Sequence, residues 1–511
     1  MSRLSLLGGS YSDSSLIAAA QRSVNLYQEK IPEETKEGVN VTHLDRPGLR
    51  FLNVPPAPGR GRGLFATSTG DLFAVVDINV YYIDPNFNFT LLGQLVTPGT
   101  TPVSMADNGQ SALLVDGSAS GFAVNLVSPR PITAVNFSQV GDPNFLGADR
   151  VDFVDSFLVM NQPGTPNWYS TLSNQIAFSA LDFGAKTAWP DPIATIATVQ
   201  REVWLIGTRK GEVWYNAGAA GFTFQGVPGV IIEHGAVAKY SLAKQDVKIY
   251  WLQQSPEGNR MVLSNEGRAS VRISNHALEE AFKKYPRVDD AIGGTWQIEG
   301  HAFYLLHFPS ADKTWVYDEA SKQWNEWNYC DPNGVLHRTR ESFYAFAYDT
   351  NVALDWATGT LYAIDPTIFV DQITASSTAP IVRIRSMPHM LADKFERITF
   401  NTLIADIEVG TGLGTTDAPI IVSPWSAGFS AGFGPRTVIE PPLISLRSSD
   451  DRGGSFGNKV MQNLGGEGEY NTTATWWNLG MARDKVFELS WSTPQRSSLN
   501  GVFVEYELHE T

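Results

Sequence analysis

The chain has 511 residues, of which 43% are hydrophobic and 18% are charged. This composition excludes extensive disorder, and the length exceeds that of one ordinary domain. The 53 acidic residues outnumber the 38 basic ones, and the net charge of −15 argues against a protein that grips nucleic acid by its phosphates. An acidic surface past which DNA slides without binding is compatible with this balance.

Cys330 is the single cysteine, so the sequence excludes an intrachain disulfide framework and predicts assembly in the cytoplasm. The apolar stretch at the N-terminus is too short for a signal peptide. No stretch reaches the roughly 18 apolar residues that span a bilayer. We therefore expect neither secretion nor a membrane segment.

Residues 1–58 show no regular pattern and end in a proline-rich stretch at residues 54–59. We predict an irregular N-terminal arm and linker here. We also expect this arm to become ordered on assembly, with Tyr27 and Pro47 as its candidate contacts to a partner. Ordering costs about 1–2 kcal/mol per residue, so the arm must then bury substantial apolar surface.

Apolar runs of strand length recur through the middle of the chain. They begin at Leu72, Ala112, Ser156, Glu202, Val247 and His301, at intervals of 40 to 54 residues. A period of this size, with room for about four strands per unit, is typical of a β-propeller. The sequence thus predicts an all-β fold with a six- or seven-bladed β-propeller over residues 59–372. The alternative is a series of unrelated hairpins in β-sandwiches.

Two features stand beside the repeats. A helix is predicted over residues 275–285, capped by Ser274 or Asn275 and stopped by Pro286.

Residues 373–511 alternate apolar and polar side chains in short runs, which predicts a C-terminal β-sandwich-like domain. Residues 409–438 are rich in glycine, serine and proline and are predicted to form a long loop within it.

Three motifs that could carry chemistry lack the context that chemistry needs. Ser430 lies in a G-x-S-x-G pattern, but no helix follows it and no oxyanion-hole sequence is evident. The eight histidines have no metal-binding spacing, and nothing beside Cys330 would activate its thiol. We therefore expect no enzyme activity, no cofactor and no metal site.

Residues 449–456 resemble the Asp box of sialidase-like propellers, in which an aspartate shapes a turn. We interpret the motif as a structural turn. It keeps open one alternative function, a carbohydrate-binding or sialidase-like propeller. That alternative needs a rim cluster of arginine, glutamate and tyrosine, and the sequence contains none with a diagnostic spacing.

Three stretches resemble the packaged-DNA stabilisation proteins, or tail hubs, of short-tailed bacteriophages that carry a tail needle. They are residues 20–27 with 46–49, residues 272–279, and several motifs between residues 446 and 507. These motifs are structural, so they indicate a family and not a catalytic activity.

This resemblance implies a structural protein of the virion tail, built of several identical copies, with six as the expected number. The hub would lie beneath the portal and its adaptor ring, seal the DNA channel and hold the needle beside the tailspikes. DNA would pass through without specific binding.

Overall fold

The computed structural model describes residues 2–12, 20–35, 38–219, 221–392, 395–408, 442–464 and 473–509. Within these ranges nearly every element is a strand, and the one α-helix has 8 residues. The all-β prediction is confirmed. The predicted loop at residues 409–438, with Ser430 in it, lies outside the described residues.

Seven strands precede the first repeat. They are β1 (Ser2–Arg3), β2 (Tyr11–Ser12), β3 (Ala20–Gln21), β4 (Ser23–Val24), β5 (Leu26–Thr35), β6 (Gly38–Asp45) and β7 (Gly48–Asn53). Two local hairpins occur among them, β2 with β3 and β5 with β6.

Six antiparallel four-stranded blades follow, each numbered from its inner strand outward. The first three contain β8 (Gly61–Ala66), β9 (Leu72–Val76), β10 (Asn79–Ile83) and β11 (Phe89–Gln94); β12 (Ser104–Asp107), β13 (Ser111–Val115), β14 (Gly121–Asn125) and β15 (Phe137–Gln139); and β16 (Val151–Val154), β17 (Phe157–Asn161), β18 (Asn167–Thr171) and β19 (Phe178–Ala185).

The next three contain β20 (Ile193–Val199), β21 (Glu202–Gly207), β22 (Gly211–Asn216) and β23 (Phe224–Ile232); β24 (Ala243–Gln245), β25 (Lys248–Gln254), β26 (Arg260–Glu266) and β27 (Ala269–Arg272); and β28 (Ile292–Ile298), β29 (His301–Phe308), β30 (Lys313–Asp318) and β31 (Gln323–Cys330). A short strand, β32 (Leu336–Arg338), pairs with β31.

The seventh blade combines two distant parts of the chain. Its inner strands are β33 (Glu341–Ala347), β34 (Thr350–Asp355) and β35 (Leu361–Asp365), and its outer strand is β7. β7 pairs antiparallel with β35, with Asn53 opposite Leu361 and Gly48 opposite Asp365. The inner strand β33 contacts both β28 and β8, so the ring closes between the seventh and first blades.

A buried apolar cluster lies between each pair of neighbouring blades. Phe73 and Leu114 share one cluster between the first and second blades, and Ala74 and Leu354 share another between the first and seventh. The other five clusters join the remaining neighbours around the ring. The propeller prediction is confirmed, and the described residues form seven blades that bury each other's faces.

Neighbouring inner strands approach closely at the centre of the ring. Gly293, at the start of β28, is an example: a Cβ atom there would overlap the carbonyl oxygen of Ser241 in the fifth blade's entry loop. Glycine is therefore required at this position by contact between backbones.

The predicted helix is present as α1 (His276–Lys283), between the fifth and sixth blades. The Asn275 side chain accepts a hydrogen bond from the backbone N–H of Leu278 at 2.9 Å, which confirms one of the two proposed caps. Leu278 and Phe282 are buried in the cluster between these blades, as the apolar stripe predicts.

The ring is followed by β36 (Val370–Thr374), β37 (Ser377–Pro380), β38 (Arg383–Ser386), β39 (Met390–Leu391), β40 (Arg397–Glu408), β41 (Leu443–Ser449), β42 (Val460–Asn463), β43 (Ala474–Trp477), β44 (Met481–Ala482), β45 (Asp484–Trp491) and β46 (Ser498–His509). β36 and β37 extend the sheet of the seventh blade.

The remaining C-terminal strands form two sheets around one apolar core. One sheet has the order β43-β40-β46-β6-β5, and the other continues the sixth blade as β31-β4-β38-β45-β41-β42. Phe400 and Leu403 from the first sheet and Phe487 and Leu489 from the second lie in the shared core. Both sheets thus include strands from the N-terminal segment.

The prediction that residues 1–58 are irregular is wrong for the described residues, which form β1 to β7. That this segment becomes ordered on assembly remains a prediction. Leu4, Leu6 and Leu26 lie in the C-terminal core, and β7 completes the seventh blade. Local patterns missed β1, β4 and β7 because these strands are short and their partners lie hundreds of residues away. β5 and β6 form a local hairpin that the sequence analysis did not recognise. The domain boundaries at residues 58 and 372 remain a prediction, although hydrogen-bonded sheets cross both.

Candidate functional site: the clasp between the ring and the chain ends

Asn25 joins three separate segments of the chain. Its backbone has a φ of +56°, a left-handed conformation that asparagine tolerates better than most residues. Its side-chain amide donates to the carbonyl oxygen of Val382 at 2.8 Å, and its Oδ1 accepts from the backbone N–H of Asn328 at 2.7 Å. The N-terminal segment is thereby tied to the sixth blade and to the C-terminal domain at one residue.

Arg46 lies beside Asn25 and is buried. Its Nε donates to Asn25 Oδ1 at 3.0 Å, and its two terminal nitrogens contact the Asp371 carboxylate at 2.6 and 3.1 Å. One of these nitrogens also donates to the carbonyl oxygen of Asn328 at 3.1 Å. We call Asn25, Arg46, Asn328 and Asp371 the clasp. Such a fully bonded buried pair leaves an uncompensated charge when either partner is removed.

Asp45 forms a second buried pair immediately before the clasp. Its Oδ1 lies 2.8 Å from Arg383 Nε, and both side chains are at most 1% exposed. The backbone N–H and the hydroxyl of Ser497 donate to the same carboxylate at 2.6 to 2.9 Å. Burial raises the pKa of Asp45, and the opposing effects of Arg383 and Ser497 only partly offset it. This pair ties the clasp to the last strands of the chain.

His301 links the N-terminal hairpin to the sixth blade. Its Nδ1 lies 3.0 Å from both carboxylate oxygens of Asp318, and its Nε2 lies 2.6 Å from a carboxylate oxygen of Glu29. Burial lowers the pKa of His301, but the hydrogen bonds and negative charges of Asp318 and Glu29 outweigh it, so the pKa is raised. The imidazole therefore favours the charged form that both carboxylates can bind.

The two predicted partner contacts lie inside the chain. Tyr27 is 5% exposed and packs edge-on against His301 and Phe303, with ring centroids 4.8 and 5.5 Å apart. Pro47 is buried next to the clasp. Both side chains line a small cavity of about 40 Å³, and their role in partner contact remains a prediction.

The centre of the ring holds a cavity of about 580 Å³ lined by the inner strands of six blades. A second cavity of about 320 Å³ lies where the inner strands begin, and it contains several cationic side chains. We call it the mouth cavity. Arg60 and Gly61 line this cavity. Arg62 follows them in β8 and is buried 3.4 Å from Asp116.

The groups considered for catalysis have structural partners. His307 is hydrogen-bonded to Thr314 Oγ1 at 3.0 Å and to the Tyr344 hydroxyl at 3.2 Å. The Cys330 thiol is buried, which raises its pKa and disfavours the reactive thiolate. In the described ranges no three potential ligands cluster as a metal site would require. Among the helices described, none is long and apolar enough to cross a membrane.

The Asp-box motif forms a turn between β41 and β42 of the C-terminal domain. Asp451 accepts hydrogen bonds from the Ser449 hydroxyl at 2.6 Å and from the backbone N–H of Ser455 at 2.8 Å. These bonds lower the pKa of Asp451 to about 2 and close the turn. The interpretation of this motif as a structural turn is confirmed.

A closed seven-bladed ring, fastened by buried pairs from both ends of the chain, defines a structural β-propeller. Residues 2–369 match the family model described as the bacteriophage P22 Gp10 β-propeller, a phage stabilisation family. The chain belongs to this family and is therefore a phage structural protein. A comparison with curated proteins returns no significant match.

Solved structures of other proteins are similar to this chain at low identity. BamB from Moraxella catarrhalis has 9% identity and a TM-score of 0.37, over 68% of this chain and 97% of its own. PorZ, a surface component of the type-IX secretion system of Porphyromonas gingivalis, has 10% identity and a TM-score of 0.36, over 64% of this chain and 39% of its own. At these values nothing about function follows from either.

The clasp residues were only partly accessible to sequence reasoning. Asn25 and Arg46 lie in the two N-terminal stretches that carry the family resemblance, but nothing in those stretches indicates which residues they contact. Nothing in the sequence around Asp371 and Asn328 indicates a contact with the N-terminal segment. Both are polar residues inside or directly after an apolar run, where a side chain is expected to be buried. A polar residue in such a position needs a buried partner, and this is the signal that could have identified them.

Proposed function

We propose that this chain is the tail hub that seals the DNA channel below the portal and its adaptor ring. The single observation that carries the proposal is the match of residues 2–369 to the phage stabilisation family. A seal against compressed DNA needs a rigid body, because the crowded phosphates repel each other and press on whatever closes the channel. The interlocked ring and clasp support this role.

The charge of the chain supports passage of DNA without binding. With 53 acidic and 38 basic residues, most of the surface repels phosphates. Many of the arginines are also neutralised inside the fold, as Arg46 is by Asp371 and Arg383 by Asp45. Few cations are thus left to hold DNA that has to leave quickly.

We propose six copies per tail, in contact with the adaptor ring, the tail needle and the tailspikes in the virion. Exposed apolar side chains on β41 to β44 support an interface in the C-terminal domain. They are 42 to 62% exposed: Leu443, Val460, Met461, Trp477 and Met481. β42 and β43 are edge strands of their sheets, and apolar residues on open edges commonly mark contacts with other chains.

The test is a comparison of particles assembled with and without this chain. Particles without it should fill with DNA and then lose it, so their DNA content should fall after packaging while the head protein remains constant. Restoring the wild-type chain should restore DNA retention. Full particles that keep their DNA without the chain would contradict the sealing role.

The alternative, a carbohydrate-binding or sialidase-like propeller, gains no support from the described residues. Its one motif, at residues 449–456, forms a turn in the C-terminal domain and not in a blade. A glycan array with the purified chain tests this alternative directly, and strong binding to one glycan class would favour it.

A further inference from the structure

The mouth cavity is lined by cationic side chains from blades that are far apart in the sequence. Arg60 precedes β8, Arg338 precedes β33, and Lys239 and Arg287 precede the inner strands of the fifth and sixth blades. Because each of these residues comes just before an inner strand, all four lie at the same end of the ring. Trp356 completes this side of the cavity.

Most cations near this mouth have a carboxylate partner. Arg287 pairs with Asp289 at 2.7 Å, Lys239 pairs with Asp149, and Arg340, next to the cavity, pairs with Asp355 at 2.6 Å. The buried Arg46 and Arg383 are paired in the same way, since buried charges need compensation.

Arg60 and Arg338 are the exceptions. Among the described residues, no carboxylate oxygen lies within 4.0 Å of either guanidinium group. Arg338 is only 5% exposed, and its buried Nη1 has no hydrogen-bond partner in the described part of the chain. The two groups share one ring, since the Cζ atoms of Arg338 and Arg60 lie 3.7 and 6.0 Å from the centroid of Trp356.

These two cations repel each other. Burial and the charge of Arg60 lower the pKa of Arg338 to about 10, yet the group remains charged at neutral pH. Asp289 and Asp290 also line this cavity, and the charges of Asp312, Asp290 and Asp355 act against the lowering of the Arg338 pKa. Arg338 and Arg60 nevertheless lack a direct carboxylate partner among the described residues, and both line the cavity of about 320 Å³. An anion between them would remove the repulsion and supply the missing hydrogen-bond acceptors.

We propose that the mouth cavity is a binding site for a phosphate group, held by Arg338 and Arg60. Two guanidinium groups match the charge of a phosphate dianion, and their planar forks offer several N–H donors to its tetrahedral oxygens. The phosphate could be free inorganic phosphate or the terminal phosphate of a nucleotide. This inference does not depend on the sealing role.

The test is calorimetric titration of the purified full chain with inorganic phosphate, in a phosphate-free buffer at constant ionic strength. Wild type should bind one phosphate per chain. Arg338→Met and Arg60→Met should each weaken binding at least tenfold, because each removes one of the two cations. Arg201→Met is the matched control, since Arg201 is 81% exposed on a hairpin of the fourth blade. It should bind as wild type does.

Thermal unfolding of each variant distinguishes a loss of phosphate binding from a failure to fold. Phosphate should raise the unfolding temperature of wild type and of the Arg201→Met chain, but not that of Arg338→Met. Without phosphate, Arg338→Met should be at least as stable as wild type, because it removes an uncompensated buried charge. A lower stability of this variant in phosphate-free buffer would contradict the idea that the guanidinium lacks its partner.

A second titration with a 5′-deoxynucleoside monophosphate identifies the source of the phosphate. Binding as tight as that of inorganic phosphate would show that the mouth accepts a terminal phosphate, and much weaker binding would restrict the site to the free ion. Absence of phosphate binding by wild type, or equal binding by wild type and both cavity variants, would overturn the proposal.

Discussion

Arg46 and Asp371 lie 325 positions apart in the sequence, yet they form a buried bidentate ion pair with N–O distances of 2.6 and 3.1 Å. Their side chains are at most 2% exposed. The pair joins the N-terminal segment to the end of the propeller, and Asn25 and Asn328 complete its hydrogen bonds. The stability of the ring is thereby coupled to the segment that precedes it.

Replacing Asp371 by alanine should lower the free energy of unfolding by about 3–5 kcal/mol, because Arg46 would remain buried with an uncompensated charge. Urea unfolding of the purified chain measures this loss. Asp289→Ala is the matched control, since Asp289 and its partner Arg287 are both more than half exposed, and it should cost about 1 kcal/mol or less.

The double replacement Arg46→Met with Asp371→Leu should recover much of that loss, because no charge then remains buried. A double variant less stable than Asp371→Ala would show that the hydrogen bonds of Arg46 to the backbone matter more than its charge.

Replacing Gly293 by alanine should separate the fifth and sixth blades, because the added methyl group would overlap the carbonyl oxygen of Ser241. We expect a loss of at least about 3 kcal/mol in unfolding free energy, or no folded protein at all. Gly141→Ala is the control, since a Cβ atom there meets open space, and it should change stability by less than about 0.5 kcal/mol. Circular dichroism during urea unfolding compares the two, and similar losses in both would refute the close approach of the strands.

His301 should stabilise the fold most strongly at low pH. Its pKa is raised above the ordinary value of 6.5 in the folded state, so its contribution is complete below 6.5 and is lost as the pH rises through the raised value. The stability difference between wild type and His301→Gln should therefore shrink as the pH rises above 6.5. Urea unfolding at several pH values measures it, and a difference independent of pH would contradict the charged link to Asp318 and Glu29.

His307 should have the opposite effect. Burial, aided by the charge of Arg338, lowers its pKa to about 3, so the folded chain keeps it neutral while the unfolded chain binds a proton below pH 6.5. Between these two values its contribution lowers stability by up to about 1.4 kcal/mol per pH unit as the pH falls.

The variant His307→Gln should therefore unfold at a lower pH than wild type. The exposed His276→Gln serves as the control and should leave the midpoint of acid unfolding unchanged. Tryptophan fluorescence during acid titration reports the midpoint, and an unchanged midpoint for His307→Gln would rule out this histidine as a cause of acid unfolding.

The repeats were predictable because each of the first six blades consists of four consecutive strands, so their apolar runs recur along the sequence. The runs beginning at Leu72 and Ala112 became β9 and β13, the second strands of their blades. The seventh blade was less evident, because its outer strand lies about 300 residues before the strand it pairs with. A short stretch such as Gly48–Asn53 has no pattern of its own that distinguishes a strand from a linker.

The candidate site was still harder to predict. A charged residue such as Arg46 ordinarily indicates a solvated surface, and only its distant partner Asp371 explains its burial. Likewise, the composition of residues 59–63 gave no sign that Arg60 would meet Arg338 across the closing ring. Contacts of this kind depend on tertiary closure, which local propensity does not encode.

The use of β7 as the outer strand of the last blade sets the order of events during synthesis. A nascent chain on the ribosome can stack its first blades as they emerge, but Gly48–Asn53 has to wait until Leu361–Asp365 is made before it finds its partner. Ring closure is thus a late step, and until then the exposed edges of the first and last blades are open to pairing with other nascent chains. High local concentrations of translating ribosomes, as in late infection, should make this interval the most vulnerable to aggregation.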